Sequence, residues 1–163
     1  MKHKLITKKN NIPKLMKRIQ ALTNKTTEVG YFSSQPSHSE SGIGYAQMAA
    51  WLEYGTKKTR AYPLFHRTVE FFEHPSKSNI IKNSLKGYFN NLDSNKQYTV
   101  ILNSIGKGYA EIIQAGMGKP HRTGNSNAPS TIAVKGSNSP WIDTGELKQN
   151  ISYRFNGTLF TLN

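Results

Sequence analysis

The sequence predicts an α+β fold: a small antiparallel sheet covered by several helices, with a long mobile loop around 118–140. Three observations predict it. Apolar residues recur at helical spacing in several stretches of the chain. Near the end, Ile151, Tyr153 and Phe155 alternate, Asn156-Gly157 supplies a hairpin turn, and Phe160 and Leu162 continue a second strand. Residues 118–140 are rich in Gly, Pro, Ser and Asn, the composition of a loop that is functional or disordered. At 163 residues the chain suits one domain, 1–163, with extended loops at 33–42 and 118–140. That length can bury a core without staples.

Taken in order, Leu5 and Ile6 start a short strand, and Pro13 suits a first helical turn. Ile12, Leu15, Met16, Ile19 and Leu22 form an apolar stripe expected to face the core, which leaves Lys14, Lys17 and Arg18 outward. Thr27, Val29 and Tyr31 alternate as a strand, and 33–42 is a polar loop. Tyr45 to Tyr54 reads as a helix ended by Gly55. Pro63 opens the next helix and Pro75 closes it. Ile81, Leu85, Tyr88, Phe89 and Leu92 give another stripe. Val100, Ile101, Ile105, Tyr109, Ile112 and Ile113 give a long one that ends near Gly116 and Gly118. Asp143 and Glu146 have the spacing of a capping box for a short helix, with Asp143 as the cap.

The net charge of +13 is unevenly spread: Lys2, Lys4, Lys8, Lys9, Lys14, Lys17, Arg18 and Lys25 all precede the first acid, Glu28. Such a segment attracts an acidic protein surface or a polyanion, and salt weakens the attraction. Lysines number 17 and arginines 5, which disfavours base reading by bidentate arginine. The expected role of the Lys14, Lys17 and Arg18 face is therefore docking on an acidic neighbour, or facing DNA without reading sequence. The chain has no cysteine, so neither disulfides nor thiolate metal sites are expected, which fits a reducing cytoplasm. No apolar run has the length of a membrane span, and the basic start lacks the apolar block of a signal peptide. Neither membrane insertion nor secretion is expected.

Few residues suggest chemistry. Asp143-Thr144-Gly145 looks like the aspartic-protease triplet, but that reaction needs two carboxylates sharing a proton. Only 18 residues follow Gly145, too few for the supporting strands, so a structural turn is the stronger reading. His66, Glu70 and His74 share a helix face, and a solvated or subunit-facing stripe is favoured over zinc. Gly116-Met117-Gly118-Lys119-Pro120 lacks P-loop spacing, and Gly42-Ile43-Gly44 lacks the rest of a dinucleotide fingerprint. Tyr54, Lys57, Lys58, Arg60, Tyr62 and Phe65 interleave aromatic and basic residues, as a single-strand nucleic-acid site does, but a packing role is favoured. No enzyme activity, cofactor or metal is expected.

Two segments together resemble a known family. One is Tyr45-Ala46-Gln47-Met48-Ala49-Ala50-Trp51-Leu52-Glu53-Tyr54-Gly55-Thr56, followed by Arg60-Ala61-Tyr62-Pro63-Leu64-Phe65-His66-Arg67. The other runs from Asn127-Ala128-Pro129-Ser130-Thr131-Ile132-Ala133-Val134-Lys135-Gly136-Ser137 to Pro140-Trp141-Ile142-Asp143-Thr144-Gly145-Glu146-Leu147 and Ile151-Ser152-Tyr153. Their order and spacing resemble the tail-completion, or neck and virion-morphogenesis, proteins of tailed phages and prophages. Tyr62 stands where that family often has Arg, Trp141 where it often has Leu, and the 33–42 loop is extended.

The resemblance implies a structural virion protein made in the bacterial cytoplasm. It implies a ring, expected to be a hexamer, at the head-proximal end of the tail. Its neighbours would be neck proteins and tail-tube or tail-terminator proteins, with non-specific proximity to DNA. Gly55, Pro63, Pro129, Thr131, Lys135, Gly136, Asp143, Thr144 and Gly145 become structural or interface candidates. The alternatives are a tail terminator or head–tail stopper, and from other classes a small basic nucleic-acid-binding protein or a hydrolase built on Asp143.

Overall fold

The computed structural model describes residues 10–72, 79–90 and 97–162. The expected strand at Leu5 and Ile6, and Pro75, His74 and Leu92, lie outside them. The α+β architecture is as the alternating and helical patterns predict. Strands β1 (Thr27–Gly30), β2 (Ser152–Phe155) and β3 (Thr158–Thr161) form an antiparallel sheet in that order. The β2–β3 hairpin turns at Asn156-Gly157, both at positive φ, as a tight hairpin demands. On one face Tyr153 stacks on Phe160, opposite it in register, and Phe155 stacks on Phe160 as well, with ring centroids 5.3 and 5.0 Å apart. Glu28 and Arg154 pair across β1 and β2, Oε2 to Nη2 at 2.5 Å.

The long helix α5 (Tyr98–Gly116) packs across this sheet. Gly106 permits the approach: a Cβ there would stand 2.6 Å from the Tyr153 ring and 2.9 Å from Thr27 Oγ1. Tyr153 Oη donates to Asn103 Oδ1 of the same helix at 2.8 Å. Helix α4 (Asn79–Phe89) lies along α5 and contributes buried Tyr88.

Helix α1 (Ile12–Leu22) rests on this pair differently from its pattern. Arg18, expected outward, is 8% exposed; its guanidinium lies 4.7 Å above the Tyr88 ring and donates to the Tyr88 carbonyl. The stripe expected inward is outward: Ile12 is 66%, Leu15 37%, Met16 49% and Ile19 44% exposed, and Leu22 is half-buried. The physical reason is the partner. An arginine can bury its stem and satisfy its head on an aromatic face and a carbonyl, so it anchors the helix and rotates the stripe away.

Helix α2 (Tyr45–Tyr54) stops at Gly55, whose φ of +76° turns the chain so tightly that a Cβ would sit 2.9 Å from both Ala61 N and Thr59 O. Pro63 then opens α3 (Leu64–Arg67), which continues as a π-helical turn over Thr68–Phe72. The orphan N–H groups at this start are taken by a buried side chain from α2: Glu53 Oε2 accepts from Phe65 N at 3.0 Å and Oε1 from His66 N at 2.8 Å. Leu64 is fully buried in a core with Tyr45, Tyr62, Ala110, Ile113, Met117, Trp141, Leu147, Ile151 and Tyr153.

Residues 118–140 are not the open loop that their composition predicts. They contain α6 (Pro120–Thr123) and α7 (Pro129–Lys135), each with proline at its first position. Several of their polar side chains satisfy backbone groups. Asn125 Nδ2 donates to Ala61 O at 2.7 Å, Asn138 Oδ1 accepts from Asn127 N at 2.8 Å, and buried Thr123 bonds within its own turn. Gly118 N donates to Pro140 O at 2.7 Å, so the glycine-rich Gly116–Pro120 stretch is a clamped corner.

Removing the Glu53 carboxylate leaves two part-buried N–H groups without their acceptors. Bonds to charged groups contribute about 1.5–3 kcal/mol each, so Glu53→Ala should lower the unfolding free energy by about 3 kcal/mol. Glu53→Gln, which keeps one acceptor, should lose less. Denaturant titration of the three proteins checks this ordering, and indistinguishable midpoints would contradict it.

Candidate functional site

The two motif segments meet. Tyr62 N, just past the Gly55 turn, donates to Leu52 O at 2.6 Å, and Tyr62 O accepts from the indole N–H of Trp141 at 2.8 Å. Trp141 is buried and adopts a positive φ of 68°, where a non-glycine residue is unusual. Its ring packs on Phe65, centroids 5.6 Å apart. Tyr62 and Trp141 are thus partners, through the backbone carbonyl of the first and the indole of the second.

Above this junction lies an open groove of about 630 Å³. Its floor is apolar, formed by Met48, Trp51 and Leu52 of α2, Ile43, and Trp141 with Ile142. Its rim is polar: His38 and Glu40 from one loop, Thr131 and Lys135 from α7, and Asp143, Thr144 and Glu146 from the turn into α8 (Glu146–Gln149). Of the sequence-derived candidates, the groove gathers Thr131, Lys135, Asp143, Thr144 and Gly145. Gly55, Pro63, Pro129 and Gly136 stand at element ends, Gly136 closing α7 at φ +67° and Gly145 preceding α8 at φ +88°. Lys14, Lys17 and Arg18 belong to α1, away from the groove lining.

Asp143 is not the cap of α8. It is 79% exposed and lies 3.9 Å from Lys135 Nζ, while Gly145 occupies the cap position with no side-chain cap bond. The left-handed Gly145 carries the chain around, so Asp143 points away from the helix start. Thr144 Oγ1 accepts weakly from Glu146 N at 3.4 Å instead. Lys135, mostly buried along its stem, donates to the Ile142 carbonyl and straps α7 to the turn.

Glu146, predicted as the second half of the capping box, reaches across to the 33–42 loop. It accepts from Ser39 Oγ, from Ser39 N at 3.0 Å and from Tyr45 Oη at 2.7 Å. The Ser39 hydroxyl, then Tyr45 and the Ser39 amide hold its carboxyl down to about 2, aided by nearby His38 and opposed by burial. Burial, then the bond to this carboxylate and its charge, push the Tyr45 phenol up. Burial, then Tyr45, raise that of Tyr31, which donates to Leu147 O at 2.6 Å. Buried His38 accepts from Ser41 N through Nδ1 at 3.3 Å. In that arrangement the proton is on Nε2, which donates to Thr144 Oγ1 at 3.2 Å. The ring therefore turns no lone pair towards the threonine hydroxyl.

Sequence reasoning missed His38, Ser39 and Tyr45 as one network because nothing in a polar loop says which serine or histidine folds inward. Trp51 had a signal: α2 carries apolar residues around its whole circumference, more than one core face needs. Elsewhere, His66 Nε2 pairs with Glu70 at 3.0 Å on an exposed face. In the interleaved stretch Tyr62 is buried and Phe65 packs on the core, whereas Tyr54 is 82% exposed. No group of three or more metal-ligating side chains occurs among the described residues, and no helix among them is long and apolar enough to cross a membrane. No family model matches the chain, and neither does any curated protein or solved structure.

The Glu146 tether sets a pH dependence. A carboxyl held below its ordinary 4.5 contributes stability that is complete above 4.5 and lost as pH falls towards about 2. Over that window the thermal midpoint of the native chain should fall more steeply than that of Glu146→Gln. Asp143→Ala, which removes an exposed and loosely paired group, should track the native chain within about 0.5 kcal/mol. Equal slopes for native and Glu146→Gln proteins would remove Glu146 from this role.

Proposed function

We propose that the chain is a structural subunit of a tailed-phage virion, at the head-proximal end of the tail, where a ring of copies completes the tail and helps join it to the head. One observation carries the reading. The two segments that resemble the tail-completion family, far apart in sequence, fold into one junction through the Tyr62–Trp141 bond and build the groove. Their distinctive residues have architectural employment: Glu53 holds the start of α3, Gly55 makes the turn, Lys135 straps α7, and Gly145 launches α8.

The same geometry favours a structural over a catalytic role. Asp143 faces the Lys135 ammonium, whereas acid proteolysis requires a second carboxylate sharing its proton. Thr144 accepts from both the His38 ring and Glu146 N, so its oxygen is a bonded strut with no base to activate it. The neighbours in this reading are neck and tail-tube or tail-terminator proteins, and the assembled protein resides in the virion.

Deleting the coding sequence from the phage or prophage that carries it tests the reading. Electron microscopy of induced lysates should show filled heads and full-length tails that stay apart, with joined particles restored when the chain is supplied in trans. Normal numbers of joined, infectious particles from the deletion would contradict the reading.

A further inference from the structure

We infer that the exposed apolar stripe of α1 docks in the α2–α7 groove of a second copy of this chain, and that this head-to-tail contact is what links subunits. The inference rests on the ring-subunit reading and supplies its interface.

Two surfaces on the molecule carry it. The first is the stripe Ile12, Leu15, Met16 and Ile19, at i, i+3, i+4 and i+7. That is the anchor spacing by which an amphipathic helix enters a groove. Arg18 holds α1 against Tyr88 with this face turned to solvent, so the helix is already formed and oriented for a partner. A stripe without such a role would be expected to face its own core. The second surface is the groove, whose floor includes exposed Trp51 beside Met48 and Leu52. Tryptophan in an apolar, rimmed pocket is the usual anchor of a protein interface.

Charge favours the same pairing. The chain is strongly basic with nine acids, and three of them, Glu40, Asp143 and Glu146, line the groove. The segment that carries the stripe has eight bases and no acid before Glu28, and Arg18 alone of them is buried, on its own subunit's Tyr88, among the described residues. The one lysine of the groove, Lys135, donates to the Ile142 carbonyl and pairs with Asp143, which leaves Glu40 and Glu146 as the unbalanced acids. An acidic-rimmed apolar groove and a basic segment with an apolar stripe are complementary. No residue of α1 lines the groove, so the two surfaces lie on different parts of one subunit. A contact between different surfaces is heterologous, and repeated it closes a ring or grows a filament.

The test uses two exposed substitutions that each destroy one surface. Met16→Glu spoils the stripe and leaves the groove; Trp51→Glu spoils the groove and leaves the stripe. Both should keep the native thermal midpoint closely. Sedimentation of the native chain should show concentration-dependent assembly, and each variant alone should associate at least about tenfold more weakly. Mixed, the two variants should form heterodimers and nothing larger, because one intact stripe meets one intact groove. The chain lacks cysteine, so Gln20→Cys in the Trp51→Glu protein and Ser41→Cys in the Met16→Glu protein should join by a short bifunctional maleimide, while Asn156→Cys at the hairpin tip should not replace Ser41→Cys. A native chain that stays monomeric at high concentration, or a mixture that stays monomeric, would overturn the inference. So would binding of the native chain to anionic lipid vesicles that Met16→Glu abolishes while self-association persists, since the stripe would then belong to a membrane surface. These failures are distinct from failure of the virion reading, which the deletion phenotype decides by itself.

Discussion

The buried carboxylate of Glu53 is the constraint on which the rest of the structure depends. A carboxylate removed from water is costly unless its oxygens are used, and both are: each accepts one backbone N–H at the start of α3. This fixes α2 against α3 across the Gly55 turn. The turn in turn sets the Tyr62 carbonyl, which receives the Trp141 indole, and Ala61 O, which receives the Asn125 amide. One charged side chain thereby positions the start of α3, the 118–140 segment and the floor of the groove.

The groove is built from what that junction leaves over. Helix α2 spends Tyr45, Ala49 and Glu53 inward and keeps Met48, Trp51 and Leu52 for the floor. The rim is held by ties between segments: Lys135 to Ile142, Glu146 to Ser39 and Tyr45, His38 to Thr144. Lys135, Glu146, His38 and Thr144 are all engaged in such ties. A surface of this kind is preorganised for shape and for charge, which suits a partner segment better than a reaction.

The sequence was legible where local chemistry and tertiary packing agree. Gly55 ends α2 because its turn admits no side chain, the stripe from Val100 to Ile113 is α5, and Asn156-Gly157 is the hairpin. It was misleading where a tertiary partner outweighed local pattern. The α1 stripe looks like a core face, and only the Tyr88 ring, distant in sequence, explains why Arg18 is inside instead. The 118–140 composition looks like a mobile arm, but asparagine and threonine side chains satisfy buried backbone as readily as they meet water, and periodicity cannot tell the two uses apart. Asp143 and Glu146 have capping-box spacing, and the left-handed Gly145 between them spoils that geometry. Of the groove, sequence pointed to Thr131, Lys135 and the Asp143–Gly145 turn through the resemblance, and to nothing on the 38–41 loop.

Through these bonds the two motif segments should respond as one coupled unit, with Glu53 and Trp141 as its ends. A double-mutant cycle on unfolding free energy measures this directly, using Glu53→Gln and Trp141→Phe singly and together. Residues joined through one network show coupling of about 0.5–3 kcal/mol, and a value in that range is expected, with the double variant less damaged than the sum of the singles. Losses that simply add would mean that the clamp and the indole stabilise the fold independently and that the two segments are not coupled.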